Sequence, residues 1–348
     1  MFPDTTENYS DWIHPPLRQA WFLTGPTSSG KTPLAIAVAQ RLNAEIISLD
    51  SMAIYRGMDI GTAKPTPAQR QQVAHHMLDV VEPTESFSVS SYVLAAHQAA
   101  AAIRARGKQV LVCGGTPLYL KSLIRGLFLG PQPDWEFRTT IENYLSEHGA
   151  EALQARLVQV DPLLAHKLHP HDHRRMIRAL EVAKVTGQPL SHWQRQFETP
   201  ADSFQFPVAV LKLDRAWLHQ RINRRVEQML SGGLIDEVNG LVARHGKLGR
   251  TAAQAVGYRE VLEYQRGEYS LPETVARIQA HTRQFARRQE IWFRGLQELR
   301  PVMLTPESNP EQLADQIALI FTTQPDAGAQ SEPAIQPPAS ADGRSNES

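Results

Sequence analysis

The chain holds 348 residues, 42% of them hydrophobic and 21% charged, with 36 Lys and Arg balanced by 36 Asp and Glu. That composition belongs to a soluble globular protein of about two domains of roughly 150 residues each. Cys113 is the single cysteine, which excludes an intramolecular disulfide and a zinc ribbon and makes a reducing cytoplasm the expected setting. The N-terminal stretch MFPDTTENYSDWIHPP is acidic, has no apolar run and carries no base before Arg18, unlike a secretory signal or a transit peptide. No apolar stretch approaches the roughly 18 residues that cross a bilayer, so no membrane partner is expected.

In chain order, residues 1–18 read as a disordered lead-in. The runs QAWFLTG and EIISLD are short, apolar and β-rich, and between them Lys31 to Leu42 carries apolar residues at Leu34, Ala35, Val38 and Leu42, a helical spacing. A second such unit follows, with the Ala-rich SVSSYVLAAHQAAAAIRARG as helix and KQVLVCGG as a buried strand. Strands alternating with helices predict an α/β fold with a doubly wound parallel sheet, whose ligands sit at the carboxyl ends of the strands. This first part of the core spans 19–129. Prolines in FLGPQPDWEF then break the pattern, and 130–200 reads as a helical insertion domain without a convincing strand. FPVAVLKLD, at 206–214, reads as a strand returning to the sheet, and three helical stretches complete the second part of the core, 201–322. Residues 323–348 form an acidic tail whose four prolines and single large apolar residue, Ile335, predict disorder.

The overall charge balance hides an asymmetry. Seven of the 36 acids but only one of the 36 bases lie from Glu307 onward, so the first 306 residues carry a net charge of +6. Within them the bases bunch, once as Lys167, Arg174, Arg175, Arg178 and Lys184, and again as Arg283, Arg287, Arg288 and Arg294. Such clusters suit a polyanionic partner and equally a solvated helix face.

The most specific motif is Gly25-Pro26-Thr27-Ser28-Ser29-Gly30-Lys31-Thr32, a G-x-x-x-x-G-K-[ST] phosphate loop lying between a predicted strand and a predicted helix. Its glycines let backbone N–H groups turn onto phosphate oxygens at the positive end of a helix. Lys31 supplies a point charge and the Thr32 hydroxyl a magnesium ligand. Most such loops serve ATP or GTP, with an acid at the end of a neighbouring strand holding the metal. Asp50, closing EIISLD, is the candidate, either in that role or as an acid or base.

Together, GPTSSGKT, DSMAIYRGMDIGTAKP, CGGTPLYLKSLIRGL, HPHDHRRMIRALEV, AVGYRE and TRQFARRQEIWFRG resemble the bacterial tRNA dimethylallyltransferases, also called tRNA isopentenyltransferases, in order from about Trp21 to Gly295. The resemblance implies a P-loop NTPase-like core. It also implies transfer of a dimethylallyl group from dimethylallyl diphosphate to the exocyclic amine of the adenosine 3′ of the anticodon, in tRNAs that read codons beginning with U. Asp50 would then be the general base, with Arg225 and Thr32 also catalytic. The phosphate loop and Arg221 would grip the diphosphate with Mg2+ on Thr32. The tRNA anticodon stem-loop would meet Asp50, Ser51, Met52, Ala53, Thr116, Arg138, Arg174, Arg175, Met176, Ile177 and Arg178, with Arg283, Gln284, Arg287 and Arg288 on the other wall.

One tRNA filling the cleft between two lobes makes a monomer the expectation. The chain departs from the family at Met52-Ala53, where relatives vary, and it lacks the cysteines for the zinc finger of eukaryotic members. An adenylate isopentenyltransferase acting on free AMP or ATP shares the loop and the Asp but needs no RNA-gripping lobe. A P-loop small-molecule kinase shares the core alone.

Overall fold

WFLT and AEIISL are short and almost continuously buried, as strands covered on both faces must be. In the computed structural model, which describes residues 13–195 and 208–323, the chain begins with β1 (Ile13–His14), β2 (Trp21–Thr24), α1 (Lys31–Arg41) and β3 (Ala44–Leu49). It continues through α2 (Pro67–Gln72), β4 (His75–His76), α3 (Val89–Ala105), β5 (Gln109–Gly114), α4 (Pro117–Arg125) and β6 (Leu127–Phe128). A run of helices follows: α5 (Trp135–Val160), α6 (Pro162–Lys167), α7 (His173–Thr186) and α8 (Leu190–Trp193). The chain rejoins the sheet at β7 (Val208–Leu213). It ends with α9 (Arg215–Ser231), α10 (Leu234–His245), α11 (Arg250–Ala253), α12 (Tyr258–Gln265), α13 (Leu271–Arg294), β8 (Leu299–Leu304) and α14 (Pro310–Thr322).

Six parallel strands lie in the order β4-β3-β5-β2-β7-β8. One face buries Phe22, Ile47 and Val112 against Tyr92, Ala96 and Leu120 of α3 and α4, and the other buries Leu23, Ile46 and Leu111 against Leu34, Val38 and Ile317 of α1 and α14. The fold is therefore doubly wound, as the alternation of strands and helices predicted. The chain leaves β2 toward β3 on one side and later adds β7 on the other, so the strand order switches at β2. The carboxyl ends of β2, β3 and β5 open there into a crevice.

Helices α5 to α8 have a core of their own, with Leu153, Leu157 and Met176 fully buried and Trp193 stacked on Phe128 at 4.9 Å between ring centroids. A third core joins α9 to α13 with Ile54, Tyr55 and Met58 of the loop after β3.

Three sequence expectations change. Of the lead-in, residues 13–18 are ordered: β1 pairs with β6, Leu17 is buried, and its N–H donates to the Leu123 carbonyl. Residues 1–12 and the tail from 324 lie outside the described residues. Six helices and a strand, rather than three helical stretches, follow β7 among the described residues. The strand, β8, escaped notice because LRPVML carries a proline and an exposed Met303, both tolerated on the edge strand it forms.

Candidate active site

Gly30 has φ +91°, the left-handed region where glycine is favoured, and a Cβ there would stand 3.1 Å from Nη2 of Arg221. The phosphate loop thus passes directly under α9. Arg221 Nε donates to the Ser28 carbonyl at 2.7 Å while its guanidinium lies 5.1 Å from the Trp217 ring centroid. Lys31 folds back on its own loop, with Nζ donating to the carbonyls of Gly25 (2.9 Å) and Pro26 (2.6 Å). Burial lowers its pKa to about 8, with nearby Arg225 adding to the effect and Asp50 opposing it. Arg225, one turn beyond Arg221, has no ion pair among the described residues. Burial lowers its pKa too, against the pull of the Asp50 carboxylate.

Asp50 leaves the end of β3 in a turn in which Oδ1 accepts the N–H groups of Met52 (2.8 Å) and Ala53 (3.2 Å). These bonds fix the carboxylate in place. Thr116, just past β5, takes the Ser51 N–H on its hydroxyl (3.1 Å) and gives its own N–H to the Leu49 carbonyl (3.1 Å). Two loops at neighbouring strand ends are so tied together.

A cavity of about 640 Å³ runs from the phosphate loop past Asp50 and is lined by Lys31, Thr32, Arg221, Arg224 and Arg225. With cations on most sides and Asp50 as its carboxylate, it suits a polyphosphate. A second cavity of about 400 Å³ lies on the other side of Asp50 and Arg225, among Ser51, Met52, Thr116, Val226, Met229, Arg174 and Arg288. Asp50, Arg225, Thr27, Gly115, Phe285 and Gln289 line both. The carboxylate stands between a cationic chamber and a more apolar one, a position from which it can take a proton from a group in either.

The remaining basic residues separate by environment. Arg174 and Arg288 face the second cavity, and Arg175 is 63% exposed beside Asp172. Arg283, Gln284 and Arg287 line a separate groove of about 430 Å³ between α9 and α13. Four residues of the helical insertion expected at the RNA have internal partners in this structure. Met176 and Ile177 point into the core of that lobe, because α7 turns its apolar stripe inward, so their side chains are not at a surface. Arg138 and Arg178 both donate to the fully buried Glu181, which holds their charge inside the lobe.

Sequence reasoning missed Gln289, Phe285, Trp217 and Arg224. Gln289 is the most connected of them: its Oε1 accepts the Thr27 N–H at 2.8 Å and its Nε2 donates to the Gly115 carbonyl at 2.6 Å. Nothing local in the sequence marks it, since its two partners lie 262 and 174 residues away along the chain.

Residues 53–296 match the family model described as IPP transferase. The chain belongs to the IPP transferase family. It is 48% identical over 310 residues to the tRNA dimethylallyltransferase of Rhodopirellula baltica, covering 86% of this chain and 91% of that one. Among solved structures it resembles the full-length tRNA isopentenylpyrophosphate transferase of Bacillus halodurans, with a TM-score of 0.64 and 35% identity over 87% of this chain and 96% of that one. A eukaryotic dimethylallyltransferase acting on tRNA superposes with a TM-score of 0.71 at 26% identity, covering 86% and 78%.

Proposed function

We propose that the protein transfers the dimethylallyl group of dimethylallyl diphosphate to the exocyclic amine of the adenosine 3′ of the anticodon in tRNAs reading codons that begin with U. The observation that carries this reading is Asp50 on the wall between a cationic chamber and a second chamber flanked by Arg174 and Arg288. The diphosphate lies along the phosphate loop, where its oxygens take over the hydrogen bonds that Lys31 gives to Gly25 and Pro26. An arginine buried without a counter-ion is costly, and Arg225 regains that cost when an anion arrives.

The extruded adenine enters the second chamber. Its amine attacks C1 of the dimethylallyl group, the C1–O bond breaks, and diphosphate leaves with the bonding pair. Asp50 takes the proton from the amine. Lys31, Arg221 and Arg225 stabilise the charge gathering on the leaving group. No trio of His, Cys, Asp and Glu among the described residues could hold a metal unaided. The Thr32 hydroxyl lines the cationic chamber, and a hard oxygen donor beside phosphate oxygens and water suits magnesium. Thr32 would hold that ion, which when bound lowers the charge on the leaving diphosphate.

Arg175, Arg283, Gln284 and Arg287 extend the RNA-facing surface, while Arg138 and Arg178 support it through Glu181. No described helix is long and apolar enough to cross a membrane, and a cytoplasmic monomer is the form this reading assigns. The test is incubation with magnesium, labelled dimethylallyl diphosphate, and either an unmodified tRNA with consecutive adenosines in its anticodon loop or free AMP and ATP. Label in tRNA alone is expected. Label in the free nucleotide alone would make the protein an adenylate isopentenyltransferase, and no transfer to either would favour a kinase.

A further inference from the structure

Gln289 is 3% exposed, lies on the basic helix α13, and reaches the strand ends where the diphosphate and the base-bearing loop meet. The last register pair between β2 and β5 is Thr24 with Gly114. Beyond it, no backbone hydrogen bond among the described residues joins the phosphate loop to the loop after β5. The Gln289 carboxamide supplies that missing rung, accepting from Thr27 N–H on one side and donating to the Gly115 carbonyl on the other. A primary amide offers an acceptor and a donor on two separate atoms in one plane, which neither an ionised carboxylate nor an ammonium of the same reach does.

The linkage continues on both sides. Gly115 is followed by Thr116, whose hydroxyl holds the Ser51 N–H next to Asp50. Thr27 leads into Ser28, whose carbonyl holds Arg221. Gly115 itself is as close as the amide permits, since a Cβ there would fall 2.6 Å from Gln289 Nε2. We infer that Gln289 is a positioning residue that sets the distance between the diphosphate-binding loop and the loop carrying the general base. The inference rests on the reaction proposed above.

Gln289→Met keeps the volume and removes both hydrogen bonds. With the variant shown folded by its circular dichroism and melting curve, kcat is expected to fall about 100-fold, the scale of a misplacement of about 1 Å between reacting groups. The KM for dimethylallyl diphosphate and the Kd for inorganic diphosphate should rise, and the Kd for tRNA should stay at the wild-type value. Gly115→Ala supplies a second variant, for it leaves the glutamine present but displaces its amide. It should show the same split between diphosphate and tRNA.

If the two residues act through one contact, Gly115→Ala combined with Gln289→Met should be no worse than Gln289→Met alone. Wild-type kinetics in folded Gln289→Met, or losses that multiply in the double variant, would overturn the inference. A wild-type protein that labels no tRNA would overturn the proposed reaction with it, whereas an active wild type with indifferent variants would remove the role of Gln289 alone.

Discussion

Glu237 of α10 accepts the Tyr258 hydroxyl and, with the same carboxylate, the N–H groups of Asp59, Ile60 and Gly61. The polar segment DIGTAKP, which has no regular secondary structure of its own, is thereby pinned to the helices behind it. Lys64 completes the arrangement from inside, its side chain 1% exposed and bonded to Asp59 (2.8 Å) and Asp79 (2.6 Å). Gly61 is packed so closely that a Cβ would fall 2.4 Å from the Tyr258 ring. Tyr258→Phe should lower unfolding free energy by about 1–3 kcal/mol, because it removes one donor from a carboxylate that stays at the site. Gly61→Ala should cost more, and a denaturation midpoint for Gly61→Ala equal to that of the wild type would contradict the close approach.

Asp50 carries the clearest kinetic prediction. Asp50→Ala should reduce kcat by about 10²–10⁴-fold, the usual contribution of a positioned base. Filter binding should find tRNA affinity within a factor of about three of wild type, a difference under 1 kcal/mol. A large loss of tRNA binding with single-turnover chemistry intact would make Asp50 a recognition residue instead.

Lys31 predicts a pH dependence with a definite sign. Burial lowers its pKa from 10.5 to about 8, so in the free enzyme the ammonium loses its proton as pH rises through about 8. Bound diphosphate favours the charged form, and affinity for it should therefore weaken above that pH. For folding the sign is opposite: between about 8 and 10.5 the unfolded chain holds the proton and the native one does not, so this group makes stability rise with pH. Titration calorimetry with diphosphate from pH 7 to pH 10 reads the first effect. Lys31→Arg should bind more weakly yet lose that limb of the profile, and a limb that persists unchanged would assign it to another group.

How much of this was legible beforehand depends on which physics fixed each residue. The phosphate loop and Asp50 were readable because their chemistry needs particular residue types at fixed spacing, beside strands whose apolar runs mark them plainly. Arg221 and Arg225 entered through the family resemblance, and their i, i+4 spacing on α9 puts them on one face. Arg138 and Arg178 looked the same as Arg174 in sequence, since charge alone does not reveal that a buried carboxylate 43 and three residues away consumes two of the three. Gln289 was hidden for the converse reason. Its role comes from tertiary contacts 262 and 174 residues distant, which leave no local periodic trace.

Glu181 provides a stability prediction that separates structural from RNA-binding arginines. Burial alone would raise its pKa, but hydrogen bonds from Arg138, Arg178 and the Asp134 N–H outweigh that and hold the carboxyl below the usual glutamate range. Glu181→Ala leaves two guanidinium groups facing each other without their acceptor, and breaking such a buried cluster should cost about 3–5 kcal/mol. The sign with pH follows from the lowered pKa: the stabilisation is full above the unfolded-state value near 4.5 and is lost as pH falls through the lower folded value. Calorimetric melts of wild type and Glu181→Ala at pH 7 and pH 3 test both statements. A variant as stable as wild type at pH 7 would refute the internal role of the cluster.

The RNA-facing arginines should behave in the opposite way. Arg174 is exposed on α7 at the rim of the second chamber and Arg288 lines the same chamber from α13, so the two reach it from separate lobes. Neither pairs with a carboxylate among the described residues, which leaves both charges available to phosphates. Replacing both with Gln should leave the melting temperature close to wild type, since exposed charges contribute little to stability. For tRNA binding, each lost phosphate contact should reduce the slope of log K against log salt by about 0.7–0.9. The double variant should therefore bind more weakly at low salt and lose less affinity as salt is added. An unchanged slope would return both residues to ordinary surface charge. A steeper fall in kcat than in tRNA affinity would instead place one of them against the extruded adenine.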